Sequence, residues 1–267
     1  MSKVFDFKTG DSPLLISVPH DGREIPQEIA VRMTDTGRGI PDTDWHVARL
    51  YGFAHDLGAS VIKANFSRYV TDLNRSSNDA ALYPGQLSTG LCPTASFSGD
   101  AIYLAGEAPD EKEKARRVDA YWRPYHDRLG TALADIRSRF GYVLLWDAHS
   151  IPGEVPMLFP GALPDLNIGT NGRRSCAEEM ELRVSQVAEK SPYTSVLNGR
   201  FKGGFITRHY GDPENDVHAI QLELAQRCYM HETTRVYDED AAARLGRTIH
   251  EMLRAFLSSA EDIYTRA

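Results

Sequence analysis

Cysteine is scarce in this sequence, with three in 267 residues: Cys92, Cys176 and Cys228. They are scattered, odd in number and form no C-x-x-C pair, which argues against a disulfide framework and against a thiolate zinc site. No apolar run is long enough to span a bilayer. The opening residues, Met1-Ser2-Lys3-Val4-Phe5-Asp6-Phe7, have neither the basic start nor the apolar core of a signal peptide. A reducing, cytoplasmic setting without membrane contact is therefore expected. Positive charge is also in short supply: the formal net charge is -7, which works against nucleic-acid binding through a general basic field. A few local arginines can still hold a small anion. No G-x-S-x-G elbow, P-loop or G-x-G-x-x-G is present, so serine-hydrolase and nucleotide chemistry lack motif support. Nor is there an internal repeat or a low-complexity tract. What remains, 42% hydrophobic and 25% charged residues, is ordinary for a globular chain, and the length suits one large α/β domain over residues 1–267 or two small ones.

The most informative stretch is Tyr142-Val143-Leu144-Leu145-Trp146-Asp147-Ala148-His149-Ser150. It begins as a continuous apolar run, the pattern of a strand buried on both faces, and then breaks into Asp, His and Ser. Residues two apart share a strand face, so Asp147 and His149 point the same way. An imidazole beside a carboxylate is a metal ligand or a base with its orienting partner, where a plain cap on the sheet is the alternative. A second apolar strand, Leu14 to Val18, also stops at a histidine, in Pro19-His20-Asp21-Gly22. Two strand ends of one sheet can converge on a crevice.

Residues 41–58 read as a helix, with Trp45, Ala48, Tyr51, Ala54 and Leu57 on its apolar face and Gly58 at its end. Asp42 and Asp44 then fall in the first turn, as dipole partners or as the carboxylate that completes a metal site with the histidines. Ala59 to Ala64 reads as a strand. Asn74-Arg75 follows, a pair suited to gripping a carboxylate because the arginine fork is planar and bidentate. Residues 76–109, rich in Gly, Pro, Ser and Ala, form a long connection. A helix from Asp110 runs towards the Tyr142 strand, kinked or divided at Pro124. The loop Gly169-Thr170-Asn171-Gly172-Arg173-Arg174, before a helix start near Ser175, could meet an anion. Gly199 to Gly211, basic within an acidic chain, reads as a strand or hairpin carrying Arg208. In His218 to Leu224, Ile220, Leu222 and Leu224 share one face and Gln221 and Glu223 the other. A carboxylate in so apolar a strand needs a partner or a task. An amphipathic helix from about Asp240 to Leu257 closes the chain.

Two histidines and one carboxylate leave a tetrahedral zinc with a position for water. A nearby Glu that is not a ligand can take the water's proton and pass it to a leaving nitrogen. That set of parts describes amide hydrolysis.

The sequence resembles the N-formylglutamate amidohydrolase (N-formylglutamate deformylase) family. The resemblance rests on Ser17-Val18-Pro19-His20-Asp21-Gly22, Asp42-Thr43-Asp44-Trp45, Asp72-Leu73-Asn74-Arg75, Asp147-Ala148-His149-Ser150, Gly169-Thr170-Asn171-Gly172 and Gln221-Leu222-Glu223, six segments in order across most of the chain. It implies a three-layer α/β/α fold with a mixed central sheet, like the zinc exopeptidases. It also implies hydrolysis of N-formyl-L-glutamate to formate and L-glutamate, the last step of a histidine degradation route. One zinc ion per chain, or another divalent metal, would be held by His20, Asp44 and His149, with Asp147 behind His149 and Glu223 as general acid/base. Asn74, Arg75, Arg173 and Arg208 would bind the small acidic N-acyl substrate. The related carboxypeptidases carry H-x-x-E, but position 23 here is Arg23, so Asp44 takes the third place, with Asp42 and Glu24 as alternatives. Two other functions remain in play. One is a carboxypeptidase- or amidase-like hydrolase acting on another N-acyl amino acid or an acidic peptide. The other is a non-catalytic binder of acidic metabolites. A monomer or small homo-oligomer is expected.

Overall fold

In the computed structural model, which describes residues 3–80 and 89–265, the chain is built on a seven-stranded sheet of order β1-β3-β2-β4-β7-β5-β6. The strands are β1 (Phe5–Lys8), β2 (Leu14–Val18), β3 (Ser60–Ala64), β4 (Val143–Ile151), β5 (Leu166–Gly169), β6 (Ser195–Leu197) and β7 (Val217–Ala225). β3, β2, β4 and β7 run parallel, whereas β1 and β5 pair antiparallel with β3 and β7. The sheet is therefore mixed, as expected. Three single-turn helices, α1 (Gln27–Ala30), α2 (Asp35–Arg38) and α3 (Val47–Leu50), precede the longer α4 (Glu111–Arg117), α5 (Arg123–Phe140), α6 (Glu178–Lys190), α7 (Phe205–Tyr210) and α8 (Glu239–Tyr264). Among the described residues no helix is long and apolar enough to cross a membrane. Of the long connection over 76–109, residues 81–88 lie outside the described residues.

All nine residues of β4 are buried because helices cover both faces, giving three layers. Leu144, Trp146 and Ala148 pack with α6 and α8 on one side, while Val143 and Leu145 pack with α5 on the other. Alternation places Asp147 and His149 on the α5 side, at the C-terminal ends of the parallel strands, where open α/β sheets gather ligands.

Two expected elements differ. The helix read over 41–58 is the short α3 followed by a 3₁₀ helix, Gly52–Leu57. The apolar residues recur every three positions, which is the 3₁₀ repeat and not the α repeat, and His46 is left-handed at φ 65°. Asp42 and Asp44 thus lie in the loop before it and not in a helical turn. The stretch read as a strand or hairpin over 199–211 ends in α7. There Gly203 takes φ 110°, and a Cβ on Gly204 would sit 2.2 Å from the Asn74 amide nitrogen, so the chain squeezes past Asn74 and then coils. The last helix extends to Tyr264, which stacks on Tyr142 with ring centroids 4.2 Å apart.

That stacked tyrosine anchors a buried histidine. His218 Nε2–H donates to the Tyr264 hydroxyl (2.8 Å), and its Nδ1 accepts from Ala177 N (3.2 Å). Both nitrogens are committed in the neutral form, and burial pushes the pKa down to about 4 against a weaker opposing pull from Asp216. The unfolded chain takes up this proton below about pH 6.5 and the folded chain only near 4, so the group's contribution to stability falls as pH drops through that window. Wild type should lose on the order of 2–3 kcal/mol relative to His218→Gln between pH 7 and 4. Urea unfolding of both proteins after chelation checks this, and parallel pH curves would refute it.

Candidate active site

Three loops and strand ends meet at the C-terminal edge of β2, β4 and β7. His20 lies two residues beyond β2, and its carbonyl accepts from Asp44 N (3.1 Å), which ties the 41–46 loop to that strand end. Asp44 Oδ2 lies 2.9 Å from His149 Nδ1 and 3.8 Å from His20 Nδ1, and it accepts from Ser150 N (3.1 Å). All three side chains are buried, and one ligand atom from each lies within 4.8 Å of the others.

Behind each imidazole stands a carboxylate. His20 Nε2 is 2.8 Å from Asp72 Oδ1, and Asp72 is itself paired with Arg68 (2.7 Å) and accepts from Asn74 N (2.9 Å). His149 Nε2 is 3.0 Å from Asp147 Oδ2, whose other oxygen accepts from Ser17 Oγ (3.0 Å). Metal-binding histidines are held in this way, with one nitrogen on the ion and the other N–H on a carboxylate. Two Nδ1 atoms and one carboxylate oxygen, each braced from behind, fit a divalent ion with room for water.

The charges are tightly interlocked. Burial, reinforced by Arg68, lowers the pKa of His20 against Asp72 and Asp44. Burial also opposes a charge on His149, but Asp147 and then Asp44 outweigh it and hold that pKa well above the usual imidazole value. Asp44 and Asp72 are kept below the carboxylate range despite burial, Asp44 chiefly by His149 and His20 and Asp72 chiefly by Arg68 and His20.

Glu223 is the direct neighbour of His149 in the β4–β7 ladder, and Gln221 that of Asp147. Burial pushes the Glu223 carboxyl up to about 8, with His149 pulling the other way and Asp44 pushing with it. Gln221 Nε2 donates to it at 3.4 Å, and Gln221 Oε1 accepts from Gly204 N (2.6 Å). The cleft in front encloses about 80 Å³, several times the 10–15 Å³ that one water needs. His20, Asp44, His149, Glu223, Asn74 and Arg75 all face it.

Asn74 does more than line this wall. Its Nδ2 lies 2.9 Å from His149 Nε2 and 3.3 Å from Asp147 Oδ2, and its Oδ1 accepts from Ile206 N (2.8 Å). The Arg75 guanidinium is steadied by donating from Nε to the Thr89 carbonyl (3.0 Å). Of the alternatives for the third ligand, Asp42 is occupied by the Tyr69 hydroxyl (2.7 Å) and Phe97 N (2.9 Å), and Glu24 is exposed.

Two arginines expected here are not among the residues lining the cleft. Arg173 is half exposed and pairs with Glu178 and Glu181 at the start of α6. β5 runs antiparallel to β7, with Leu166 opposite Leu224 and Gly169 opposite Gln221, so the loop after β5 leaves towards the far end of the parallel strands. Arg208 lies on α7, its Nε donating to the Gly203 carbonyl (2.7 Å), and is not among the residues lining the cleft. In their place the fold brings Arg200, whose Nε donates to the Leu158 carbonyl (2.8 Å), and the buried Arg68. Arg200 lies in the same basic, Gly-bounded stretch as Arg208, so composition pointed to the segment but not to the residue. Nothing in the local pattern marks Arg68.

A family model described as N-formylglutamate amidohydrolase matches residues 12–230. The N-formylglutamate deformylase of Pseudomonas putida is 47% identical over 268 residues, covering 100% of both chains. That of Pseudomonas aeruginosa is 47% identical over 266 residues, covering 99% of this chain and 100% of the other. Among solved structures, an N-formylglutamate amidohydrolase from Ralstonia eutropha JMP134 matches with a TM-score of 0.81 at 24% identity, over 96% of this chain and 97% of that one. A gene product from Agrobacterium tumefaciens matches with a TM-score of 0.74 at 20% identity, over 97% of each chain. These two structures share the fold described above.

Proposed function

The chain belongs to the N-formylglutamate amidohydrolase family, and from that membership and the geometry of the cleft we propose that it hydrolyses N-formyl-L-glutamate to formate and L-glutamate. The observation that carries the proposal is the meeting of His20 Nδ1, Asp44 Oδ2 and His149 Nδ1 on the wall that Glu223 shares. The relatives named as deformylases supply the substrate. In this reading the whole chain is one catalytic unit working at the end of histidine degradation.

The donor set suits a divalent ion, zinc in this proposal, which when bound polarises the formyl oxygen and makes water a nucleophile near neutral pH. Glu223 takes the proton as water adds to the formyl carbon. As the C–N bond breaks it returns that proton to the departing nitrogen, giving formate and the free amine of glutamate. A carboxyl raised towards neutrality suits both halves of this shuttle. Asp147 and Asp72 hold the two imidazoles with Nδ1 turned to the centre. Arg75 and Arg200 are the cations placed to hold the two carboxylates of the substrate, by the bidentate pairing that arginine favours. Phe97, Leu158 and Phe201 line the cleft beside them, limit water and favour an acyl group as small as formyl.

Chelation tests the proposal. Glutamate release from N-formyl-L-glutamate should vanish after chelator treatment and return when zinc is restored, with one metal per chain by elemental analysis. Turnover that survives chelation, with no metal found, would remove the metal from the reaction. A zinc-loaded protein that ignores N-formyl-L-glutamate but cleaves acidic peptides would move the substrate to the peptidase class.

A further inference from the structure

Between α4 and α5 the helix widens into a π turn, Val118–Trp122, in which Arg123 N–H donates to the Val118 carbonyl five residues back. The sequence explains it. Pro124, near the start of α5, has no N–H to donate and its ring crowds the carbonyl four residues earlier. π turns of this kind occur often at functional sites, and here the altered pitch has a definite consequence. Trp122 Nε1–H donates to the carbonyl of Arg75 (2.9 Å). One turn further, His126 Nε2 lies 2.9 Å from the carbonyl of Leu73. A carbonyl only accepts, so Nε2 carries the proton, and Nδ1 accepts from the Tyr210 hydroxyl (3.0 Å). The indole stacks on the imidazole with centroids 3.7 Å apart, which locks the two donors as a pair. The residue between the two clamped carbonyls is Asn74, whose amide reaches His149 and Asp147, and the residue after it is Arg75. Its guanidinium lines the cleft.

We propose that Trp122 and His126 are positioning residues for substrate binding: through the Leu73 and Arg75 carbonyls they fix the main chain that presents the Asn74 amide and the Arg75 guanidinium to an acidic substrate. The inference rests on the dicarboxylate-hydrolase reading above. It predicts a defect in binding and not in chemistry, because neither ring touches the metal-binding residues or Glu223.

Trp122→Phe keeps a six-membered ring to stack on His126 and removes the N–H together with the five-membered half of the indole. In the metal-loaded, full-length protein, KM for N-formyl-L-glutamate should rise about fivefold to thirtyfold, the range set by one lost hydrogen bond to a half-buried carbonyl. kcat should stay within about threefold, and the inhibition constant of L-glutamate should rise by the same factor as KM. His126→Leu should behave likewise, while His126→Gln, whose amide can still donate to the Leu73 carbonyl, should remain near wild type. Folded variants with wild-type KM and glutamate affinity would overturn the proposal, as would a loss confined to kcat or to metal content. If Trp122→Phe does not fold, the His126→Gln and His126→Leu pair decides. Wild-type protein that binds glutamate without turnover would sink the reaction alone, and glutamate affinity would still test the clamp. Wild-type protein that neither turns over nor binds glutamate would overturn both.

Discussion

Replacement of Glu223 by Gln should lower kcat for N-formyl-L-glutamate by about 10²- to 10⁴-fold, the usual worth of a positioned general acid/base, and leave the metal content at one per chain. Gln matches Glu in shape and can keep the contact with Gln221, but it cannot take a proton from water or return one to nitrogen. The same change should stabilise the metal-free fold. With its pKa raised to about 8 by burial, Glu223 stays protonated in the folded chain while the unfolded chain ionises above about pH 4.5. The group's effect on stability therefore becomes more unfavourable as pH rises between these values. At pH 7 the Glu223→Gln variant should gain on the order of 2–3 kcal/mol against urea, in keeping with the trade of stability for activity at functional sites. Kinetics, elemental analysis and urea unfolding check the three statements. A Glu223→Gln variant with wild-type activity would remove Glu223 from the proton path.

The second large effect belongs to Asp44. Asp44→Asn should release the metal on dialysis and reduce turnover on the order of a thousandfold or more, as several kcal/mol of transition-state stabilisation disappear with the ion. The amide can still accept from Ser150 N, so the loop should hold its place, and the buried Arg68 keeps its partner Asp72. Two controls separate ligand from neighbour. Asp42→Asn weakens the Tyr69 and Phe97 N contacts and removes one of the negative charges near Arg68, and should keep metal and activity in the protein that folds. Glu24→Gln, at an exposed position, should change neither. Metal retained by Asp44→Asn and lost from either control would move the third ligand.

Most of this site was legible because its residues sit where apolar strands end. The continuous run before Asp147 and His149 marks a doubly covered strand, and the spacing of two puts both on one face; the structure finds them 3.0 Å apart. The alternation around Glu223 works in the same way, and the ladder then sets it beside His149. The 41–58 stretch differs from one continuous α-helix because a repeat of three, which resembles one face of an α-helix over a short window, belongs to the tighter 3₁₀ turn. Arg173 and Arg208 were candidates because arginines near glycine-rich loops suit anions. Strand direction disposes of the first, which a pattern of apolar residues does not encode when a strand has only four residues.

The sequence by itself determined the parts: which strands are buried, that two histidines and at least two acids stand at their ends, and through six matching segments which family the chain belongs to. These are local properties, carried by periodicity and composition. Only the tertiary structure decided which acid stands with the two histidines, which arginines face the cleft, and that Trp122 and His126, more than forty residues away, hydrogen-bond the carbonyls on both sides of Asn74. Each depends on where distant segments cross. Asp44 is selected over Asp42 because its loop is tied to the His20 carbonyl, and Arg200 over Arg173 because β5 runs against β7. Those are consequences of strand order and direction, and no short stretch of sequence states them.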